Sequence, residues 1–359
     1  MYIYILFSLL ILVLLLTKKK INYLLSWIII TIFSAIRFDV GNDYYYYYAI
    51  STQAGKNEYA QNFWFNINYD LKYNFFKFCS DIAFYFESPQ FPIIVFSIST
   101  SYFTYKAINR FSINKNLSLF FYLCFPLFYF TSLSTIKQHL AVAIVLYSFK
   151  YIENRNIFGY LLLLSLGFFI HPSIIFLIPL YFMYKLRLNE KVLWSIYISS
   201  FFVSLALREV LLFLNVYSSY FESDGTYGIG GSKIIYIVNL LCFLVLISHK
   251  KLKNSNNTRF FVLSIVIGTF LYNALSPFGH LGMRSSTYFL SFLILLIPDL
   301  ISSLNAMFRN KFSFTLIFYI FLFTIFNFTV YTNYKSVKGS SVVPYQTYFN
   351  KSFYDLKSQ

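Results

Sequence analysis

Carboxylates are scarce in this chain, and charge of either sign is thin. Of 359 residues only 13 are Asp or Glu, and 12% are charged, whereas 58% are hydrophobic. That balance excludes a soluble globular domain. Cysteine is rare: Cys79, Cys124 and Cys242 are widely spaced within apolar segments, which indicates neither a disulfide framework nor a metal cluster. The hydrophobic runs lack apolar/polar alternation, so they do not describe a membrane β-barrel. The first run, Tyr2 to Thr17, lacks the basic leader and small-residue cleavage site of a signal peptide, and Lys18, Lys19 and Lys20 follow it at once. It reads as a permanent first helix. Repeats at solenoid spacing and the inverted halves of a transporter are absent as well.

What is present is the sequence of a helical membrane protein. Several runs approach or reach the roughly 20 residues that a helix needs to cross hydrocarbon. The expected fold is all-α, a polytopic integral membrane protein of about 12 transmembrane helices. The first two cover 2–17 and 21–36. The rest lie near 91–108, 117–133, 136–152, 157–170, 172–184, 192–213, 233–248, 260–275, 284–304 and 312–331. Residues 1–331 are taken as one transmembrane domain, with a long external or interfacial segment at 37–90 and a C-terminal tail at 332–359. Within 37–90 lie Glu58, Asp70 and the partly amphipathic "YNFFKFCSDIAFYF".

The formal net charge of +16 comes from Lys and Arg in short loops, not from a basic stripe of the nucleic-acid-binding kind. Basic loops mark the cytoplasmic side. Placing Lys18 to Lys20, Arg110 with Lys115, Arg155, Lys185 with Arg187 and Lys191, Lys250 to Arg259, and Arg309 with Lys311 inside puts the N-terminus, the 37–90 segment and the tail outside.

On that path the remaining polar residues gather at the external face. In "RFDVGNDYYYYY" (37–48), Arg37 stands near enough to pair with Asp39 or Asp43, and Gly41 with Asn42 make a turn between the two carboxylates. The tyrosines suit an interfacial belt and equally suit stacking on sugar faces. With 46 Phe and 34 Tyr in the chain, a bias that an AT-rich coding sequence produces by itself, a tyrosine carries little information. In "TSLSTIKQHLA", Ser134 or Thr135 caps a helix whose first turn holds Lys137 and Gln138 next to His139. A lysine there either snorkels to water or joins the helix N-terminus in holding an anion. In "FFIHPS", Pro172 suits the first position of a helix and leaves His171 at the junction, as a proton acceptor or a hairpin anchor. In "SPFGHLGMRSSTYF", Gly279 and Gly282 permit close backbone approach, and Arg284 opens a helix beside Ser285 and Ser286, facing either a phosphate or lipid headgroups. His280 stands just before it.

Those four stretches together resemble the EpsG-like, Wzy-type bacterial polysaccharide polymerases, over most of the chain by hydropathy and order. Where the family commonly has arginine before the glutamine, this chain has Lys137, which keeps the charge and loses the bidentate fork. The resemblance implies an enzyme of the bacterial cytoplasmic membrane that needs no metal or other cofactor. It would join oligosaccharide repeat units carried on undecaprenyl diphosphate at the external face, with membrane lipid and a chain-length regulator as further partners. It also implies site roles: Arg37, Lys137, Gln138 and Arg284 toward the diphosphate, His171, Asp39 or Asp43 as base toward the acceptor hydroxyl, and Tyr44, Tyr47, Tyr48 and His280 along the sugar path. A glycan ligase using the same lipid-linked donor fits the residues nearly as well. A flippase or other transporter would carry charges deep within its helices, and a glycan acyltransferase would need an acyl path across the membrane.

Overall fold

The computed structural model describes residues 1–52, 74–213, 234–250, 252, 255–278, 280–307, 314–334 and 342–356. Glu58 and Asp70 of the expected external segment, Gly279, and the loop cations Lys251, Lys253, Arg309 and Lys311 fall outside those residues. The described chain is all-α apart from one pair of two-residue strands. Contacts divide it into two compact units, Met1–Ile178 with Leu316–Gln359, and Pro179–Thr315. The C-terminal residues group with the first unit, and the middle of the chain forms the second.

The first unit begins with α1 (Tyr2–Leu16) and α2 (Lys20–Ala35), then β1 (Arg37–Phe38) and the short α3 (Tyr44–Ala49). After α4 (Asn74–Tyr85) come α5 (Phe91–Phe111), α6 (Lys115–Cys124), α7 (Tyr129–Ser134), α8 (Ile136–Glu153) and α9 (Ile157–Phe168). The expected span over 117–133 is therefore two helices. Pro126 lies in the break, where the ring removes an N–H and clashes with a continuing helix. The hydrophobic run of α8 is buried on nearly every face, and α8 packs against α5 and α9. It is the axis of the unit, as expected of a helix that is apolar all round.

Pro172 starts a 3₁₀ segment, Pro172–Leu177, and Pro179 precedes the four-residue α10 (Leu180–Met183). The expected span over 172–184 is thus a 3₁₀ segment and a short helix, each started by a proline. The second unit continues with α11 (Glu190–Phe213), α12 (Ile234–Ser248), α13 (Asn256–Ala274), α14 (His280–Leu290) and α15 (Leu293–Met307). The run expected at 284–304 is two helices bent by 62° between Leu290 and Leu293. The last helix, α16 (Phe314–Tyr334), leads into β2 (Gln346–Thr347) of the first unit.

Among the described residues, α11 (in its Glu190–Leu207 part) and α16 are long and apolar enough to cross a membrane by themselves, and the bent α14–α15 pair makes a third candidate. Shorter apolar helices, α1, α2, α9 and α12 among them, supply the rest of the hydrophobic bulk. Their outward rows are greasy: Leu6, Leu9 and Val13 on α1, Ile21, Ile28 and Ile32 on α2, and Ile317 and Ile320 on α16 are all exposed. Unpartnered apolar faces of this size are what lipid covers.

Without water, helices in such a protein are joined by van der Waals contact and a few polar pairs. Such a centre lies among the described residues of the second unit. Asn239 of α12 and Asn273 of α13 exchange amide hydrogen bonds of 2.8 and 2.9 Å, and Asn273 also donates to Ser200 of α11 at 2.8 Å. Asn273→Ala is expected to cost about 1–2 kcal/mol and to lower the melting temperature in detergent. Adding Asn239→Ala should then cost little more, because the two amides act as a pair. Full additivity in the double variant would contradict the pairing.

Candidate functional site

The stretch after α2 is organised by Arg37, whose side chain is only 1% exposed. Its Nε donates to Val40 O at 3.2 Å, Nη1 donates to Ser34 O and to Ser97 Oγ (3.2 Å), and Nη2 donates to Leu133 O at 3.1 Å. Four of five guanidinium donors are met, by α2, the following turn, α5 and α7. Burial pulls the Arg37 pKa down from its ordinary value, yet a guanidinium remains charged in proteins. Among the described residues no carboxylate pairs with it, so the expected Arg37–aspartate pair does not form. Arg37 is committed to three backbone carbonyls and the Ser97 hydroxyl, so its donors are spent within the fold.

The turn follows from that clasp. Asp39 takes a left-handed φ of 51°, tolerable for aspartate, and Gly41 takes φ +110°. A Cβ on Gly41 would sit 2.2 Å from Leu133 O, so only glycine lets the turn close on the end of α7. The Asn42 N–H then donates to Ser134 Oγ at 3.1 Å. Gln90, 2% exposed, donates to Ala35 O (2.7 Å) and Arg37 O (2.9 Å) and accepts from the Tyr44 hydroxyl (2.6 Å). Burial pushes the Tyr44 phenol pKa up, against the opposing pull of Arg37, which keeps it a neutral donor. β1 pairs antiparallel with β2, Arg37 opposite Thr347, and Tyr345 donates to Phe33 O at 2.7 Å. The C-terminal residues therefore lie at the same end of the unit as the 37–48 segment.

Tyr44, Tyr47 and Tyr48 share one face of α3 by their i, i+3, i+4 spacing, and that face turns inward. Tyr44 and Tyr48 join Phe38 and Ile93 in a small core covered by Tyr348 and Leu356 of the tail. The surface-facing rings are Tyr46, 47% exposed, and the half-buried Tyr45. Tyr47 looks across to Lys137. The Lys137 ammonium lies 5.5 Å from the Tyr47 ring centroid and 5.2 Å from that of Phe76 on α4, within cation–π range. Asp43 is the acidic group that acts on Lys137, and it accepts a 3.4 Å hydrogen bond from the Tyr47 hydroxyl. A half-buried cation, a carboxylate and two aromatic rings thus meet at the start of α8.

Thr135 occupies the N-cap position of α8, but its hydroxyl lies 2.9 Å from His139 Nδ1, and Ser134 serves Asn42. With Thr131 Oγ1 2.8 Å from Nε2, both ring nitrogens of the buried His139 are engaged in holding α7 to α8. Gln138 is buried at 4% exposure. His171 precedes the 3₁₀ segment, its Nδ1 2.7 Å from Ser173 Oγ. Two residues before it, Phe169 O accepts from Phe75 N–H, next to the Phe76 that faces Lys137. His171 therefore belongs to the same end of the unit as Lys137.

In the second unit, α14 begins at His280, so Arg284 lies in its second turn rather than at its opening. Arg284 is exposed. Gly282 lets α14 press on the end of α13, its Cβ position 3.0 Å from the Leu275 and Tyr272 carbonyl oxygens. Among the described residues no three His, Cys, Asp or Glu side chains are grouped to hold a metal. All three cysteines are buried thiols.

The family model that matches covers residues 20–347 and is described as the EpsG family. The chain belongs to the EpsG family. It is accordingly a membrane protein of polysaccharide biosynthesis. No curated protein and no solved structure gives a significant match.

Within this EpsG-family chain, Gln90, Ser97 and Phe76 take structural parts that the sequence reading missed. Each is a common residue in an unremarkable context, and only the packing reveals it. Gly41→Ala adds a Cβ against Leu133 O in a left-handed turn. It is expected to destabilise by at least about 2 kcal/mol, measured as a loss of melting temperature and folded yield in detergent. A neutral outcome would contradict the closed turn.

Proposed function

We propose that the chain polymerises oligosaccharide repeat units carried on undecaprenyl diphosphate into a surface polysaccharide, at the external face of the bacterial cytoplasmic membrane. The observation that carries this reading is the cluster at the start of α8: Lys137 against Tyr47 and Phe76, with Asp43 beside it. On this reading the chain passes through the membrane about twelve times, with short and bent helices providing some of the passes. The α8 cluster lies on the outer side.

The reaction forms a glycosidic bond between an acceptor hydroxyl and the anomeric carbon of the donor, and breaks the bond from that carbon to the diphosphate. Charge develops on the leaving diphosphate, so a fixed cation aimed at it lowers the barrier. Lys137 takes that role, with the first-turn amides of α8 beside it. Gln138 is a further diphosphate contact, and Arg284, exposed in the second unit, is a cation of the same kind. The acceptor proton goes to a base, for which His171, its ring orientation set by Ser173, stands with Asp43 and Asp39. Tyr46 and Tyr45 offer surface-facing rings for sugar. Arg37 acts by holding the turn that presents Asp43 and α3.

In cells lacking the gene, complementation with wild type should restore a glycan ladder on gels, and Lys137→Ala should reduce it to single-repeat glycan. Lys137→Arg, which keeps the charge, should retain most of the ladder. A full ladder from Lys137→Ala would remove the lysine from the mechanism. Transfer of whole chains with no ladder would favour a ligase, which shares the donor and the cation requirement.

A further inference from the structure

At the opposite end of the first unit from Arg37, α2 begins on three lysines. Its N-cap residue is Lys19, and no side chain caps its first turn. Lysines next to the positive end of a helix dipole are unfavourable for that helix by itself. Lys18, Lys19, Lys20 and Lys115 line one cavity of about 550 Å³, together with Tyr23 and Tyr105. The same cavity reaches Leu24, and Leu24 and Tyr105 also line an apolar groove of about 330 Å³ between α2 and α5. The groove runs up α2 past Trp27, Ile28 and Thr31 to Ala35, with Ile98 and Ser101 of α5 opposite. From Leu24 to Ala35 a helix rises about 16 Å, close to the roughly 15 Å half-thickness of a bilayer's hydrocarbon core.

Two further atoms are unexplained. Tyr23 is 7% exposed and Trp27 is 4% exposed. Yet the Tyr23 hydroxyl and the Trp27 indole nitrogen have no hydrogen bond of acceptable geometry. The rings stand edge to face at 6.5 Å, and the indole N–H acts on the Tyr23 hydroxyl from outside good hydrogen-bond geometry. A buried polar group with no partner is costly, and here one lines the basic mouth and the other the groove.

We propose that this mouth and groove form a binding site for an anionic glycerophospholipid of the cytoplasmic leaflet, its phosphate among Lys18, Lys19, Lys20 and Lys115 and one acyl chain along α2 and α5. The phosphate oxygens match the four cations and the uncapped start of α2. The lipid's polar linkage region supplies acceptors near Tyr23 and Trp27. This site is separate from the α8 cluster and does not depend on the polymerase reading. Its ligand is a membrane phospholipid, not the lipid-linked donor, because the mouth lies at the end of α2 away from Lys137.

Trp27 is itself the reporter. The full chain, with Trp64→Phe and Trp194→Phe, is placed in phosphatidylcholine nanodiscs containing graded amounts of acyl-brominated phosphatidylglycerol or acyl-brominated phosphatidylcholine. Trp27 fluorescence should be half-quenched at about tenfold lower mole fraction of the phosphatidylglycerol. The preference should vanish when Lys18, Lys19, Lys20 and Lys115 are all changed to Gln. Ser101→Phe, which fills the groove and leaves every lysine in place, should also remove it. Equal quenching by the two lipids, or a preference that survives either variant, would overturn the proposal. So would displacement by soluble glycerol phosphate, which would make the site one for free phosphate. Displacement by undecaprenyl phosphate at lower concentration than phosphatidylglycerol would give the groove to a polyprenyl chain instead.

Discussion

One buried guanidinium holds the described end of the first unit together. Taking a charged group out of water costs several kcal/mol unless its donors are met, and Arg37 meets four of them with Ser34, Val40, Ser97 and Leu133. The consequences run outward. Because Leu133 O is fixed on Arg37, the turn at Gly41 closes against the end of α7; because the turn closes there, Asp43 and α3 face the start of α8. Gln90 ties the Arg37 carbonyl to Tyr44 and so secures the same segment from its other side. The arginine is thus a positioning residue, and the cation beside the construction is the half-buried Lys137.

Lys137 shows how a poor helix residue becomes informative. At the first turn of α8 it opposes the helix dipole, and it is held there by two ring faces and an aspartate instead of being left to water. On the proposed reading that lysine is the cation that meets the donor's diphosphate. The basic mouth at the other end of α2 repeats the pattern with four lysines, and in both places an uncapped or partly capped helix start waits beside the cations.

Much of this was legible before any coordinates. The boundaries of α8, α5 and α9 followed from apolar runs and the residues flanking them, the Gly41-Asn42 turn from its turn-forming pair, and the 3₁₀ start at Pro172 with His171 just outside it from proline's fixed φ. Family membership followed from four short stretches read together. Other features depend on tertiary neighbours and leave no local signature. Hydropathy averages across Pro126, across Pro172 and Pro179, and across Ser291-Phe292, so it drew continuous spans where the chain breaks. The strand pair joining Arg37-Phe38 to Gln346-Thr347 is two residues long and has no periodicity to detect. Nothing in "RFDVGNDYYYYY" tells that Arg37 points to carbonyls rather than to Asp39, or that the 44, 47, 48 face of the tyrosine run turns inward.

The most direct test of the central claim is reconstitution of the purified full chain in nanodiscs with undecaprenyl-diphosphate-linked repeat units of the host polysaccharide, following both glycan length and released lipid. The account predicts a ladder, one undecaprenyl diphosphate released for each new glycosidic bond, and loss of both with Lys137→Ala while the protein stays folded. Lipid-linked units that remain single, or a ladder from Lys137→Ala at the wild-type rate, would contradict it.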